Sequence, residues 1–342
     1  MSRQRETACS MARPLFHIHF NSRRESHQVF HMTPHLIEAA AARHTDLAGK
    51  MEFTFSWDLE ECTEALKTTS MLVTGVQVPL RNIGYVAPAL EAIHFIGAGV
   101  EYHRPFDWVP KGVAIINNRG IHYQKAGEYI LMCLLMLNSR IPALMNAQSR
   151  REWLPLFTGQ LKGKTLVIVG VGQLGGAGAE AAKKRGLHVI GVRRSGRPHR
   201  HCHEVVGPNQ LHAVLPRADF VVVTAPSTAQ TDGMIGRREF DLMKKTASFT
   251  NFSRAQLVDY EALVEKLRTG MLEGAVLDVF DPEPLPSDSH LWTIPNLLIT
   301  PHCSSDDLRE YIPMTLDLVF RNVARAMSNR GLLNKVDLKR EY

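Results

Sequence analysis

No apolar run in this chain approaches the roughly 18 residues that cross a bilayer. The most apolar stretch, YILMCLLML at 129–137, is short enough to be a buried helix. No C-x-x-C pair occurs, and the five cysteines (Cys9, Cys62, Cys133, Cys202, Cys303) are scattered and odd in number. That excludes a disulfide framework and fits reduced thiols in a cytoplasm, the compartment expected here. No long Lys/Arg tract accompanies the net charge of +6. The basic balance therefore points to anionic small ligands rather than to nucleic acid, and no membrane partner is expected. The N-terminus, MSRQRETACSMARP, lacks an apolar signal core, and Glu6 argues against a transit peptide. A tail before the first strand is expected there, with Met11 as an alternative start. There is no internal repeat and no low-complexity segment.

What is present is the composition of a globular protein, 44% hydrophobic and 22% charged, over 342 residues, a length that suggests two domains. LFHIHF (15–20) alternates as a half-buried strand does. A helix over PHLIEAAAARH, a strand at MEFTFSW, a helix at LEECTEALKTT, a strand at MLVTG, a helix at IGYVAPALEA and strands at IHFIGAG and VAIINN follow. Strands alternating with helices imply a parallel sheet covered on both faces. AGEYILMCLLMLNSRIPALMNAQSR then reads as one long helix able to cross between domains. A second series contains TLVIVG, HVIGV, DFVVVTAP, ASFTNFS, GAVLDVF and NLLIT, continuous apolar runs suited to central parallel strands. The last helix, about Asp306 to Asn329, contains Pro313, which predicts a kink or a break.

Gly170-x-Gly172-x-x-Gly175 directly follows TLVIVG and opens a helical run that ends near Lys184, with Gly186 placed to terminate it. The glycines allow a tight turn, approach of a pyrophosphate and close packing of helix on strand, with the helix N-terminus facing phosphate. In an NAD site an acidic residue follows the second strand and holds the ribose. Here HVIGV is followed by Arg193, Arg194 and Ser195. Guanidinium groups and a hydroxyl suit the 2′-phosphate of NADP, so NADP(H) is expected over NAD(H). A solvated basic loop is the plainer alternative. HRHCHE at 199–204 places its histidines and cysteine too close together for a tetrahedral metal site, and no metal is expected.

Arg254, Glu283 and His302 each lie just past the C-terminus of an expected strand, the edge where open α/β sheets bind ligands. From IGAGVEY (96–102) to LITPHCSS (298–305), and above all in FSRAQLVDYEALVEKLRTGMLEGAVLDVFDPEPLP and LWTIPNLLITPH, the chain resembles the D-isomer-specific 2-hydroxyacid dehydrogenase family. The resemblance implies two doubly wound parallel-sheet (Rossmann-like) α/β domains with a cleft between them. The substrate-binding domain would be discontinuous, 1–120 with 303–342, around a dinucleotide-binding domain at 121–302. It implies a catalytic Arg254, Glu283 and His302, with His302 as general acid, Glu283 orienting its ring and favouring its charged form, and Arg254 binding the substrate carboxylate and carbonyl. It implies substrate contacts at Gly99 and Val100 as well as at Arg254 and His302. Cofactor contacts would come from Gly170, Gly172, Gln173, Leu174 and Gly175, from Thr224, Ala225 and Pro226, from Phe252 and Ser253, and from Asp278. It also implies a homodimer, formed through the dinucleotide domain and the region around Trp153.

The implied activity is hydride transfer from NADPH to a small 2-oxoacid, of the glyoxylate or hydroxypyruvate type, giving the 2-hydroxyacid. A dinucleotide-sensing, corepressor-like binding protein of the same fold is the alternative. Three positions depart from the family pattern: Ala255 stands for the usual glycine, Arg193 for the acidic residue, and CSSDD after His302 for a small-residue, glycine-containing run. Trp57 and VTGVQVP (73–79) are further candidates to shape the substrate pocket.

Overall fold

The structure is a computed structural model that describes residues 15–58, 60–75 and 81–342. The expected N-terminal tail and Met11 start lie outside the described residues, as do residues 76–79 of the candidate pocket segment. The chain divides into two compact units. One comprises Met1–Ala98, His103–Asn118 and Ile312–Val336; the other comprises Gly99–Tyr102, Arg119–Tyr311 and Asp337–Tyr342.

The first unit is built on five parallel strands, β1 (Phe16–Ser22), β2 (Met51–Trp57), β3 (Met71–Thr74), β4 (Ala92–Phe95) and β5 (Ala114–Ile116), in the order β2-β1-β3-β4-β5. The order reverses between β1 and β3, as in a doubly wound sheet. β1 is not half-buried, because all seven residues are buried and the alternation is one of apolar core against buried polar groups. His17 and His19 tolerate this because hydroxyls saturate their rings. Thr68 and Thr54 lie at 2.9 and 2.8 Å from the two His17 nitrogens, and Thr54 and Ser56 at 2.8 and 2.9 Å from those of His19. Burial, with the neighbouring His17 adding, lowers His19 to about 4, so it stays neutral.

Three expected helices are shorter than the pattern suggested. The helix expected over 83–92 stops at Val86, because Ala87 precedes Pro88 and leaves the helical region, with φ −128° and ψ 69°. The one over 59–69 contracts to Thr63–Leu66, where the Thr69 hydroxyl donates to Ala65 O and competes with the backbone ladder. The C-terminal helix begins at Tyr311, later than expected, and runs unbroken past Pro313 to Met327. Pro313 falls in the first turn, where its missing N–H would have no helical acceptor.

The second unit has seven parallel strands: β6 (Thr165–Val169), β7 (His188–Val192), β8 (Glu204–Val206), β9 (Phe220–Val223), β10 (Ser248–Asn251), β11 (Gly274–Leu277) and β12 (Leu297–Ile299). Their order is β12-β11-β10-β9-β6-β7-β8, with the reversal between β6 and β9. Alternate residues of β6 enter different cores: Val167 and Val169 one, Leu166 and Ile168 the other. Both faces of the sheet are thus covered, as continuous apolar strands require. The expected single long helix is two, Tyr123–Asn138 and Ile141–Ser149, bent by 62°. Arg140 takes a left-handed φ of 54° at the break and Pro142 opens the second helix. Among the described residues no single helix is long and apolar enough to cross a membrane.

Candidate active site

Strand register puts the ends of six strands of the second sheet on one line. Val169 of β6 pairs with Val192 of β7 and with Val223 of β9; Val223 pairs with Asn251, Asn251 with Leu277, and Leu277 with Ile299. The residues that follow that line are Arg193, Gly170, Thr224, Phe252, Asp278 and Thr300. Arg254, Glu283 and His302 stand a few residues beyond, in the loops after β10, β11 and β12. The sheet therefore brings every candidate of the second series to one edge.

The loops then turn the side chains together. His302 has a left-handed φ of 49°, a conformation in which His is one of the better-tolerated non-glycine residues. Its N–H donates to Thr300 O at 3.0 Å. The loop is braced by buried Asp278, which accepts from the Thr300 hydroxyl at 2.7 Å and from the Cys303 and Ser304 N–H groups at 3.2 and 3.3 Å. Burial holds Asp278 above the usual carboxylate range despite those bonds. From this platform His302 Nδ1 donates to Glu283 Oε2 at 2.8 Å. A carboxylate only accepts, so the proton sits on Nδ1 and Nε2 is left free to act. The other Glu283 oxygen accepts from Phe280 N–H at 2.8 Å. Burial opposes the Glu283 charge, but the bonds from His302 and Phe280, with Arg254 nearby, bring its pKa below the usual value.

Arg254 is deeply set, with 21% of its side chain exposed. Nη1 donates to Ser253 O at 2.7 Å and Nε donates to the carboxylate of Glu101. The guanidinium also lies over the Tyr102 ring, 5.9 Å from its centroid. Burial works against its charge, and Glu101, Tyr102 and Glu283 more than offset that. Gly99 lies against this pair: a Cβ there would overlap both Arg254 Nη2 and the Glu101 carboxylate. Val100 is buried beside it.

The glycine turn forms as its spacing predicts. Gly170 has φ 101°, and a Cβ on it would fall on the backbone of Ala225. The Thr224 hydroxyl donates to Gly170 O at 2.7 Å, and Ser253 donates to Ala225 O, so these loops lock to one another. Gly172 caps the helix Gln173–Lys184 and has no atom within 4 Å of its Cβ position, leaving open surface at the helix N-terminus. That cradle fits a dinucleotide pyrophosphate. Leu174 and Phe252 line a small cavity with Tyr129, Ser304 and Ser305, next to the loop of His302. Pro226 is exposed after β9, and Gln173 is the first residue of the helix. Arg193 is half-buried directly after β7, while Arg194 and Ser195 are exposed. Arg194 lies over the Tyr342 ring at 5.3 Å.

Three features escaped the sequence reading. Glu101 is the partner of Arg254, and its only signal was its place two residues after Gly99. His122 and Asp306 approach to 3.5 Å beside the site, and both feel the charges of His302 and Arg254. The basic, histidine-rich loop contains a short edge strand, β8, whose half-polar sequence hid it. His201 in that loop lies 3.5 Å from Glu180, and among the described residues no three His, Cys, Asp or Glu side chains converge on a metal-sized site. Trp57 stands at the end of edge strand β2, under the Arg24 guanidinium at 5.4 Å.

The D-isomer specific 2-hydroxyacid dehydrogenase, NAD binding domain family matches residues 131–304, more than half of the chain. The chain belongs to this family. As a member it is an NAD(P)-dependent oxidoreductase by class, as the resemblance implied, and its two parallel sheets are the family's two Rossmann-like domains. It is similar to the glyoxylate reductase of Thermofilum pendens, at 30% identity over 268 residues, which is 74% of this chain and 77% of that protein. It is 29% identical over 304 residues, 86% of its own length, to the D-3-phosphoglycerate dehydrogenase of Methanocaldococcus jannaschii, but spans only 57% of that longer protein. The crystal structure of an NADPH-dependent glyoxylate/hydroxypyruvate reductase from Sinorhizobium meliloti, in complex with NADP and sulfate, matches with a TM-score of 0.79 at 25% identity, covering 95% of this chain and 99% of that one.

The Glu283–His302 bond carries a pH prediction. Because the Glu283 pKa is depressed, the bond is intact above the usual carboxylate range and is lost only as pH falls through the lower, folded value. Glu283→Gln keeps the shape but removes the negative charge that pairs with the imidazolium proton donor, so 2-oxoacid reduction should fall at least about a hundredfold at neutral pH. The acid limb due to Glu283 should vanish from the variant's kcat/KM profile. Wild-type activity within a few-fold of the variant's, measured as reduced-cofactor oxidation across pH, would remove Glu283 from this role.

Proposed function

We propose that this protein reduces a small 2-oxoacid of the glyoxylate or hydroxypyruvate type to the 2-hydroxyacid, with NADPH as the preferred reductant. The observation that carries the reading is the His302–Glu283 pair near a half-buried Arg254 on the same sheet edge as the glycine turn. The cofactor, when bound, supplies the hydride to the keto carbon. The chain's own residues do the rest. Arg254, with the backbone at Gly99 and Val100, would hold the carboxylate and fix the carbonyl. Doubly protonated His302 would pass its Nε2 proton to the keto oxygen as negative charge develops there, leaving a neutral ring whose remaining proton stays on Nδ1. Glu283 would hold that Nδ1 proton, so that Nε2 is the nitrogen that gives up and regains the proton. Gly170, Gly172, Gln173, Leu174 and Gly175 would cradle the pyrophosphate, and Thr224, Ala225, Pro226, Phe252, Ser253 and the Asp278-braced loop would flank the rest of the cofactor. The unit built on β1–β5 would then serve as the substrate-binding domain and the unit built on β6–β12 as the dinucleotide-binding one.

The preference for NADPH rests on charge. Half-buried Arg193 and exposed Arg194 and Ser195, directly after β7, present two guanidinium groups and a hydroxyl where an acidic residue would hold the ribose of NAD. Assay with a panel of 2-oxoacids and both reduced cofactors tests the whole reading. NADPH should be favoured, and Arg193→Asp should weaken NADPH by roughly ten- to a hundredfold while sparing or improving NADH. A wild-type preference for NADH, or a ratio unchanged by the substitution, would sink the cofactor assignment. Cofactor binding without turnover of any 2-oxoacid would favour the corepressor-like alternative.

A homodimer is part of the proposal. Trp153 and Phe157 are 97% and 95% exposed, with Leu154 beside them. Aromatic side chains so placed are covered most simply by a second copy of the chain. Light scattering at micromolar concentration should give the dimer mass, and Trp153→Ser with Phe157→Ser should shift it toward the monomer. A monomeric wild type would refute the dimer.

A further inference from the structure

Arg254 is the side chain that would receive the substrate carboxylate, yet it already holds one. Glu101 occupies its Nε edge, the Ser253 carbonyl takes a donor on Nη1, and Nη2 is pressed with the Glu101 carboxylate against Gly99. The Glu101 side chain is only 11% exposed. An internal carboxylate therefore lies on the guanidinium at the backbone position where the ligand's carboxylate would sit. A guanidinium offers five N–H groups in a planar fork, and a side-on carboxylate takes the most favourable edge of it. Tyr102, the next residue, covers the guanidinium face.

We propose that Glu101 is a built-in occupant of the carboxylate cradle and sets the specificity of the site by competing with the ligand. The inference rests on the proposed reading of Arg254 as the substrate-binding arginine. A tethered carboxylate acts at an effective concentration of about the millimolar range or above. A simple carboxylate offers Arg254 only what Glu101 already supplies, so it gains little by exchange. A 2-oxoacid brings a second acceptor, its keto oxygen, which His302 can reach, and that extra contact makes displacement of Glu101 favourable. Glu101 thus selects for ligands with adjacent carboxylate and carbonyl groups over the simple carboxylates that a bare arginine would collect. The Glu101 position lies in GAGVEY, so the selecting carboxylate and the expected backbone contacts at Gly99 and Val100 belong to one short loop.

The test measures binding rather than turnover. Oxamate, a 2-oxoacid isostere that cannot be reduced, and acetate are titrated calorimetrically into the enzyme holding saturating NADPH or NADH. Glu101→Gln removes the charge and keeps the shape; Glu101→Ala removes the group. Both variants should bind oxamate about tenfold more tightly than wild type, the lower end of what one charge-assisted hydrogen bond contributes. They should also gain acetate binding that wild type lacks, so that the oxamate-to-acetate ratio falls. Thermal unfolding and cofactor affinity report whether each variant is folded. Oxamate binding that is unchanged or weaker in the folded variants would make Glu101 a support for Arg254 and overturn the proposal, as would unfolding of both variants. A wild type that binds oxamate but reduces no 2-oxoacid would instead count against the proposed function, leaving the competition at Arg254 readable from the same titrations.

Discussion

The bond from His302 Nδ1 to the Glu283 carboxylate decides which ring nitrogen remains for chemistry, because a carboxylate can only accept a proton. The surrounding structure can be read as what that bond needs. It requires two loops, after β11 and β12, to meet at hydrogen-bond distance, and parallel strands ending on one register line bring them there. It requires the His302 backbone to stay in a left-handed conformation, and three hydrogen bonds to buried Asp278 hold the loop in which it lies. It requires the carboxylate to stay ionised despite partial burial, which the Phe280 N–H and nearby Arg254 help to secure. Local strain of this kind persists where surrounding contacts over-determine it.

The same sheet edge carries the other half of the site. Gly170 and Thr224 follow β6 and β9 at the point where the strand order reverses, the place at which open α/β sheets bind nucleotides. The glycine turn is fixed by contact rather than by flexibility. Gly170 is pressed against Ala225, and Gly175 against Gly170 and Thr224, while Gly172 faces open space. The open surface at the glycine turn and the placement of His302 are thus two consequences of one strand register.

Much of this was legible in the sequence because the signals were short-range. The glycine spacing after TLVIVG, and polar residues just past apolar Val/Ile/Leu runs, identify strand ends without tertiary knowledge. The elements that were misread fail for physical reasons. The stretch Asn138 to Ile141 carries no glycine or proline and lies between two apolar helical runs, so it reads as continuous helix, but the left-handed φ of Arg140 bends the chain. Pro313 looks like a breaker until its position in the first turn is known. β1 looks half-buried because two histidines alternate with apolar residues, and only the hydroxyls of Thr54, Ser56 and Thr68, brought from distant positions, make their burial affordable. Glu101 is the most instructive omission. Its pairing spans 153 residues of sequence to Arg254, and no local pattern announces it.

The account turns on one proton. Nitrogen-15 NMR of the His302 imidazole reads its tautomer directly at a pH where the ring is neutral. With Glu283 as the acceptor, the proton resides on Nδ1 and Nε2 is unprotonated, and Glu283→Ala releases the ring toward the Nε2–H form that free imidazole side chains prefer. A wild-type neutral ring already protonated on Nε2 would contradict the arrangement from which the proposed chemistry follows.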